Sequence, residues 1–117
     1  MTNNIFDERE KGFEAKYKLD QEIAFKVGAR RARLIGQWLA TRAGMDGEAT
    51  AEYARAGVEL ALDCPNDTAL VACLHEKHPD IGEKSLQQRL NQYRLQARAE
   101  VIAEIEQGTR SPSEPSR

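Results

Sequence analysis

Between Glu83 and Gln107 the apolar residues Leu86, Leu90, Tyr93, Ala97, Val101 and Ile105 recur at steps of three and four. That is the period of an α-helix with one buried stripe. A stripe this long constrains the chain more than any other feature, because it must be covered by other elements of matching length. No segment offers the strict alternation of a half-buried strand, so the cover is expected to be helical. Gly82 or Ser85 can open this helix, the latter with Gln88 three residues on, and Gly108 is expected to stop it. The polar, Pro- and Ser-rich "TRSPSEPSR" that follows reads as a disordered tail over residues 108–117.

Three further helices account for the cover. One is expected from about residue 21 to 43, with Ile23, Val27, Leu34, Ile35, Trp38 and Leu39 on its apolar side, Gly28 and Gly36 weakening it locally and Gly44 ending it. Asp46 can cap the next, about 47–62, whose face carries Ala54, Val58, Ala61 and Leu62 before Pro65 forbids continuation. Asn66 caps a short one, about 67–77, with Leu70, Val71 and Leu74 on one side and Pro79 beyond. Two long and two short amphipathic helices joined by short turns predict an all-α fold, a compact four-helix bundle over residues 20–107. At 117 residues the chain is long enough for one modest core and one domain.

Residues 1–19 fit this scheme least. Phe6, Phe13 and Tyr17 are spaced seven and four apart, which aligns them on one face of a helix, but Gly12 interrupts the pattern. From residue 1 to 26 there are six acidic and five basic side chains, too little apolar area to offset backbone ordering. The segment therefore reads as a flexible, helix-capable arm. Its aromatics either fold back onto the bundle or serve as anchors in a partner's groove, with the charges setting register.

The run Phe6, Asp7, Arg9, Glu10, Lys11, Phe13, Glu14, Lys16, Tyr17, Asp20, then Phe25, Lys26, Ala29, Arg30, Arg31, Leu34, Gly36 and Trp38, resembles the alphaproteobacterial zeta subunit, the inhibitor subunit of the F-type ATP synthase. The likeness extends along the chain in helix order, resting beyond Tyr53 mostly on apolar positions and on "DIGEKSLQQRL" at the start of the last helix. It implies a four-helix bundle whose N-terminal segment enters a catalytic interface of the enzyme's soluble head, formed by its alpha, beta and gamma subunits, and blocks ATP hydrolysis. On this chain the inhibitory segment would be residues 1–19, with Phe6, Phe13 and Tyr17 as anchors and Asp7, Glu8, Arg9, Glu10, Lys11, Glu14 and Lys16 as pairing groups. Such a protein is expected to be a monomer when free, and cytoplasmic, peripheral to the inner membrane through the synthase. The resemblance allows adenine nucleotide binding, but no Gly-rich phosphate loop is present, so no cofactor is expected. The alternative reading is a helical adaptor of another complex, with the arm as a docking peptide.

Other patterns point to blander uses. "ARRARL" places Arg30 and Arg31 close together on a helix; they are secondary candidates for docking to the synthase, while a formal charge of -2 and the lack of a second basic stripe speak against nucleic acid. "CLHEKH" brings Cys73, His75 and His78 together without HExxH spacing or a plausible fourth ligand, so no metal site is expected. Cys64 and Cys73 do not form a CxxC, and the longest apolar run, "ALVACL", is far below the roughly 20 residues that cross a bilayer. No carboxylate pair lies in an apolar context suited to general acid or base work, and no enzyme activity is expected. Trp38, the single tryptophan, reads as a core residue.

Overall fold

The computed structural model describes residues 4–110, and the side chains of residues 11–12 and 14–108. Four helices follow one another: α1 (Asn4–Arg42), α2 (Gly47–Asp63), α3 (Asp67–Lys77) and α4 (Glu83–Arg110). Their order, number and three inner junctions are those expected from the pattern. Each junction has a local cause. At the end of α1, Gly44 takes φ +87, a conformation costly for a residue with a Cβ. It donates to the Thr41 carbonyl at 3.0 Å while Met45 N–H reaches back to Ala40 O at 2.9 Å, the paired closure of a Schellman motif. Asn66 caps α3 through its side chain, which accepts from Ala69 N–H at 2.9 Å. Pro65 and Pro79 follow the last residues of α2 and α3 closely and cannot continue either helix.

The structure departs from the sequence reading at four local points. α1 does not begin after Asp20 but runs unbroken from Asn4 over 39 residues, straight through Gly12. Extending a helix that the bundle has already nucleated costs little per residue, so a single glycine does not break it. For the same reason α4 passes Gly108 and reaches Arg110; the rest of the expected tail, 111–117, lies outside the described residues. Asp46 holds the N-cap position of α2 in extended conformation, but its carboxylate makes no cap bond; its backbone carbonyl accepts from Ala49 N–H at 3.1 Å. Leu62, assigned to the buried face of α2, is instead exposed. It lies one turn beyond Val58 on α2.

α1 is the central element. α2 and α4 both pack along it antiparallel, and α3 buttresses α4. The main core joins Ile35 and Leu39 of α1 to Leu70, Val71 and Leu74 of α3, to Ile81, and to Leu86 and Leu90 of α4. A smaller cluster, Val27 against Ala97 and Val101, with Ile23, Leu34 and Ile105 around it, carries the α1–α4 seam towards the N-terminal end of α1. Leu86, Leu90 and Ala97 are completely removed from solvent, as the stripe of α4 predicted.

The α1–α2 seam is built on small residues. A Cβ on Gly36 would lie 2.8 Å from Ala54 Cα, and one on Gly57 would lie 3.4 Å from the Ala32 carbonyl oxygen. Gly36 therefore lets two helix backbones meet, which is a packing requirement and not the local weakness its helix propensity suggests. The radius of gyration is 18.6 Å, with extents of 65 × 39 × 20 Å, against roughly 13 Å expected for a globule of this length. The excess comes from α1 continuing past the end of the bundle.

Candidate functional site

The projecting part of α1 carries the residues of the expected arm. Among the described side chains, the first buried on α1 is Val27, with Ile23 half-buried one turn earlier. Between Lys11 and Glu22 every described side chain is exposed, Tyr17 to 64% of its surface. Their contacts are local. Gln21 Nε2 donates to Tyr17 Oη at 2.9 Å, and Lys16 faces Asp20 at 3.7 Å with both side chains largely in water. Such pairs contribute about 0.2–0.5 kcal/mol each to a helix and fix nothing outside it. Of the expected contact residues, Lys11, Glu14, Lys16 and Tyr17 are thus presented to solvent on a helix that leaves the bundle. The side chains of Phe6, Asp7, Glu8, Arg9, Glu10 and Phe13 lie outside the described residues. The helical backbone keeps the seven- and four-residue spacing of the three aromatic positions on one side of α1.

Arg30 and Arg31 both bond to side chains of this chain, Arg31 as a buried group and Arg30 at the outer edge of the α1–α4 seam. Arg31 is 8% exposed and makes a two-pronged bond to Asp67, Nη1 to Oδ2 at 3.1 Å and Nη2 to Oδ1 at 2.9 Å. Gln87 Nε2 donates to the same carboxylate at 3.2 Å, and Arg94 adds its charge at 3.6 Å. Arg31, with Gln87 in support, holds the Asp67 carboxyl down to about 2. The group ties α1, the first turn of α3 and α4 together. Arg30 reaches α4, donating from Nη2 to Glu104 Oε1 at 2.9 Å and from Nη1 to Glu100 at 3.3 Å. That bond lowers the Glu104 carboxyl below its ordinary range.

The histidines and cysteines are also absorbed by the fold. His75 Nδ1 bonds to the Ile81 carbonyl at 2.7 Å, and His78 Nε2 meets the Tyr53 hydroxyl, with the two rings edge to face. Together these contacts hold the turn from α3 into α4 against α2. Burial pushes the Tyr53 hydroxyl and the Cys64 thiol up from their usual values, the latter also because Cys73 lies beside it. Both cysteines are free thiols. Among the described residues no three His, Cys, Asp or Glu side chains converge as metal ligands. Trp38 is half-buried against the main core, with the Arg89 guanidinium 4.3 Å and the Arg42 guanidinium 5.6 Å from its ring centre.

A concavity of about 280 Å³ opens between α1, α2 and α3 and is lined by Ile35, Leu39, Tyr53, Leu60, Leu70 and Leu74. Lys77 is the one cation on its wall, opposite Glu59 and Asp63. No described helix is long and apolar enough to cross a membrane. The sequence reading missed the α1–α2 seam, although Ala32, Gly36 and Ala40 at steps of four were its visible signal. It also left Phe25 unassigned, and that side chain proves 63% exposed.

The arrangement presents a charged helical segment bearing Tyr17 on a helical bundle, a form suited to regulation by contact. Comparison with curated proteins and with solved structures gives no match. The family described as ATPase inhibitor subunit zeta matches residues 1–100, well over half of the chain. The protein therefore belongs to the ATPase inhibitor subunit zeta family.

Proposed function

We propose that this chain blocks ATP hydrolysis by an F-type ATP synthase, its N-terminal segment, residues 1–19, entering a catalytic interface of the soluble head. One observation carries the reading. α1 leaves the bundle as a continuous helix, and from Lys11 to Glu22 no described side chain is buried against the rest of the chain. A segment held clear of its own core keeps its aromatics for another protein. Phe6, Phe13 and Tyr17 act as anchors, because buried aromatics dominate interface energies, and Asp7, Glu8, Arg9, Glu10, Lys11, Glu14 and Lys16 set register and orientation. The alpha, beta and gamma subunits of the head form the wall of the groove. Through them the protein sits at the cytoplasmic side of the inner membrane.

The chain inhibits by binding one rotational state of the enzyme better than the others. The difference in affinity between states limits how far it can stall the machine. No nucleophile, metal or bound nucleotide is needed on the inhibitor. The test is removal of residues 1–19 and measurement of ATP hydrolysis by the cognate enzyme. Inhibition should vanish while the bundle melts as before, since among the described residues every buried apolar side chain lies at or beyond Val27. Full inhibition by the truncated chain would move the active surface onto the bundle.

A further inference from the structure

Two of the most exposed apolar side chains, Phe25 of α1 and Leu62 of α2, are 63% and 60% exposed. Single exposed apolar residues are ordinary, but these two belong to one face. Phe25, Ala29 and Arg33, at steps of four, line a shallow groove whose other wall is Val58 of α2. Leu62 is one turn beyond Val58. Because α1 and α2 run antiparallel, with Gly36 against Ala54 and Ala32 near Gly57, that turn lies towards the level of Phe25. On α2 the helical period puts Arg55 on the same flank as Val58 and Leu62.

The rim is basic. Lys26, Arg33 and Arg55 are exposed. Among the described residues Arg33 and Arg55 make no ion pair within 4.0 Å, while Lys26 has a loose contact to Glu22 at 4.0 Å and, like Arg33, acts on the Glu104 carboxyl from farther away. The one carboxylate in the groove, Glu104, is already neutralised by Arg30. A net charge of -2 on the whole chain makes this local positive excess a directional feature.

We propose that this two-helix face is a second docking surface, taking an acidic amphipathic helix on the ATP synthase head beside the interface that the arm enters. The inference rests on the reading under Proposed function and adds a second contact with the same partner. Continuity supports it: Phe25 follows Tyr17 on the same helix by about 12 Å at 1.5 Å per residue, so a partner gripping the arm is within reach of the groove. The apolar row supplies the anchor, and the basic rim supplies orientation and association rate. This surface gives the inhibitor a foothold that does not depend on the rotational state its arm recognises.

The test uses the full chain, with Phe25→Ser and the double reversal Arg33→Glu/Arg55→Glu. Both act at exposed positions, so melting should be unchanged. Affinity for the isolated catalytic head, read by titration of ATP hydrolysis and by direct binding, should fall about tenfold or more for each variant. The charge reversal should also flatten or invert the salt dependence of binding. Leu95→Ser, at a 71% exposed position on α4, is the control and should bind like the parent. If the parent inhibits but both variants bind within about twofold of it, the docking surface is wrong and the arm reading stands. A parent that neither binds nor inhibits overturns both. Should Phe25→Ser instead dissolve a dimer of the parent seen by sedimentation, leaving head affinity untouched, the face is a self-interface and the proposal fails.

Discussion

The bond between Arg31 and Asp67 should be lopsided, so that losing the aspartate hurts more than losing the arginine. Arg31 is 8% exposed, and its Nε has no partner even in the intact protein. Asp67→Ala would leave this guanidinium buried and unpaired, which typically costs about 3–5 kcal/mol. Arg31→Met removes the cation and keeps an apolar stem of similar length. The carboxylate it leaves behind is 32% exposed and still has Gln87 and Arg94, so the loss should be about 1–2 kcal/mol. The carboxyl also imposes a pH dependence. Its folded value is about 2 against an ordinary 3.8. A depressed acid contributes stability that is present above the unfolded value and lost as pH falls through the folded one. That contribution is about 2 kcal/mol at most, discounted to about 1–2 because nearly a third of the side chain meets water. Urea unfolding followed by circular dichroism at pH 7 ranks the two variants. The same measurement from pH 5 to 2 should show parent and Asp67→Asn converging as the carboxyl protonates. If Arg31→Met proves the worse variant, or the parent and Asp67→Asn keep a constant gap down to pH 2, the reasoning fails.

Gly36→Ala should destabilise by about 1–3 kcal/mol, because the new Cβ would lie 2.8 Å from Ala54 Cα and only backbone movement can relieve it; a neutral result in denaturant unfolding would mean that the seam is looser than it looks. Leu90→Ala, at a site wholly removed from solvent in the main core, should cost about 2–5 kcal/mol, whereas Leu95→Ala on the exposed side of the same helix should stay within about 0.5 kcal/mol. Tyr17→Ala should leave the melting temperature in place yet weaken inhibition more than Lys18→Ala, with parallel losses for the two counting against an aromatic anchor. In hydrogen exchange, the amides of Lys11 to Tyr17 should exchange fast and those of Leu86 to Val101 slowly; comparable protection at both places would show that the projecting segment is tied down.

What the sequence disclosed depended on the range of the interaction responsible. α4 was legible because Leu86 to Ile105 repeat one face for more than five turns, and the α3 start because Asn66 and its Ala69 partner are neighbours in the chain. The beginning of α1 was not, since a run of charges and a glycine look like a poor helix until a bundle nucleates them from Val27 onward. The bonds of Arg30 and Arg31 within the chain were hidden for a related reason. Charge is taken as solvent-facing by default, and the partners that engage these two lie 36 residues away at Asp67 and 74 away at Glu104. The exposure of the described side chains from Lys11 to Glu22 was legible from composition, because the segment offers too little apolar area to be covered. The Phe25 groove was not, because it needs α2 laid beside α1 in a register that Gly36 and Gly57 set by letting the backbones touch.

Continuity of α1 changes the thermodynamics of an inhibitory arm. A free peptide of this length must nucleate a helix before it can use one, at a penalty near 10⁻³ in equilibrium constant, or about 4 kcal/mol. Here nucleation has been done by the bundle, where Val27 and Ile23 lock the following turns against Ala97, Val101 and Ile105. Each residue towards Asn4 then needs only propagation, which is close to neutral for the Glu and Lys that recur along the segment. The segment can thus fray and reform without tertiary contacts and still enter a groove having lost little to ordering. The bundle contributes to inhibition without touching the catalytic interface: it lowers the entropic cost of the helix that does. A break in α1 between the bundle and the arm, such as Ile23→Pro, should therefore weaken inhibition even with every aromatic and charged residue of the arm intact. The loss should exceed what Ile23→Ala causes through the seam alone, and equal losses from the two substitutions would show that helix continuity does not matter.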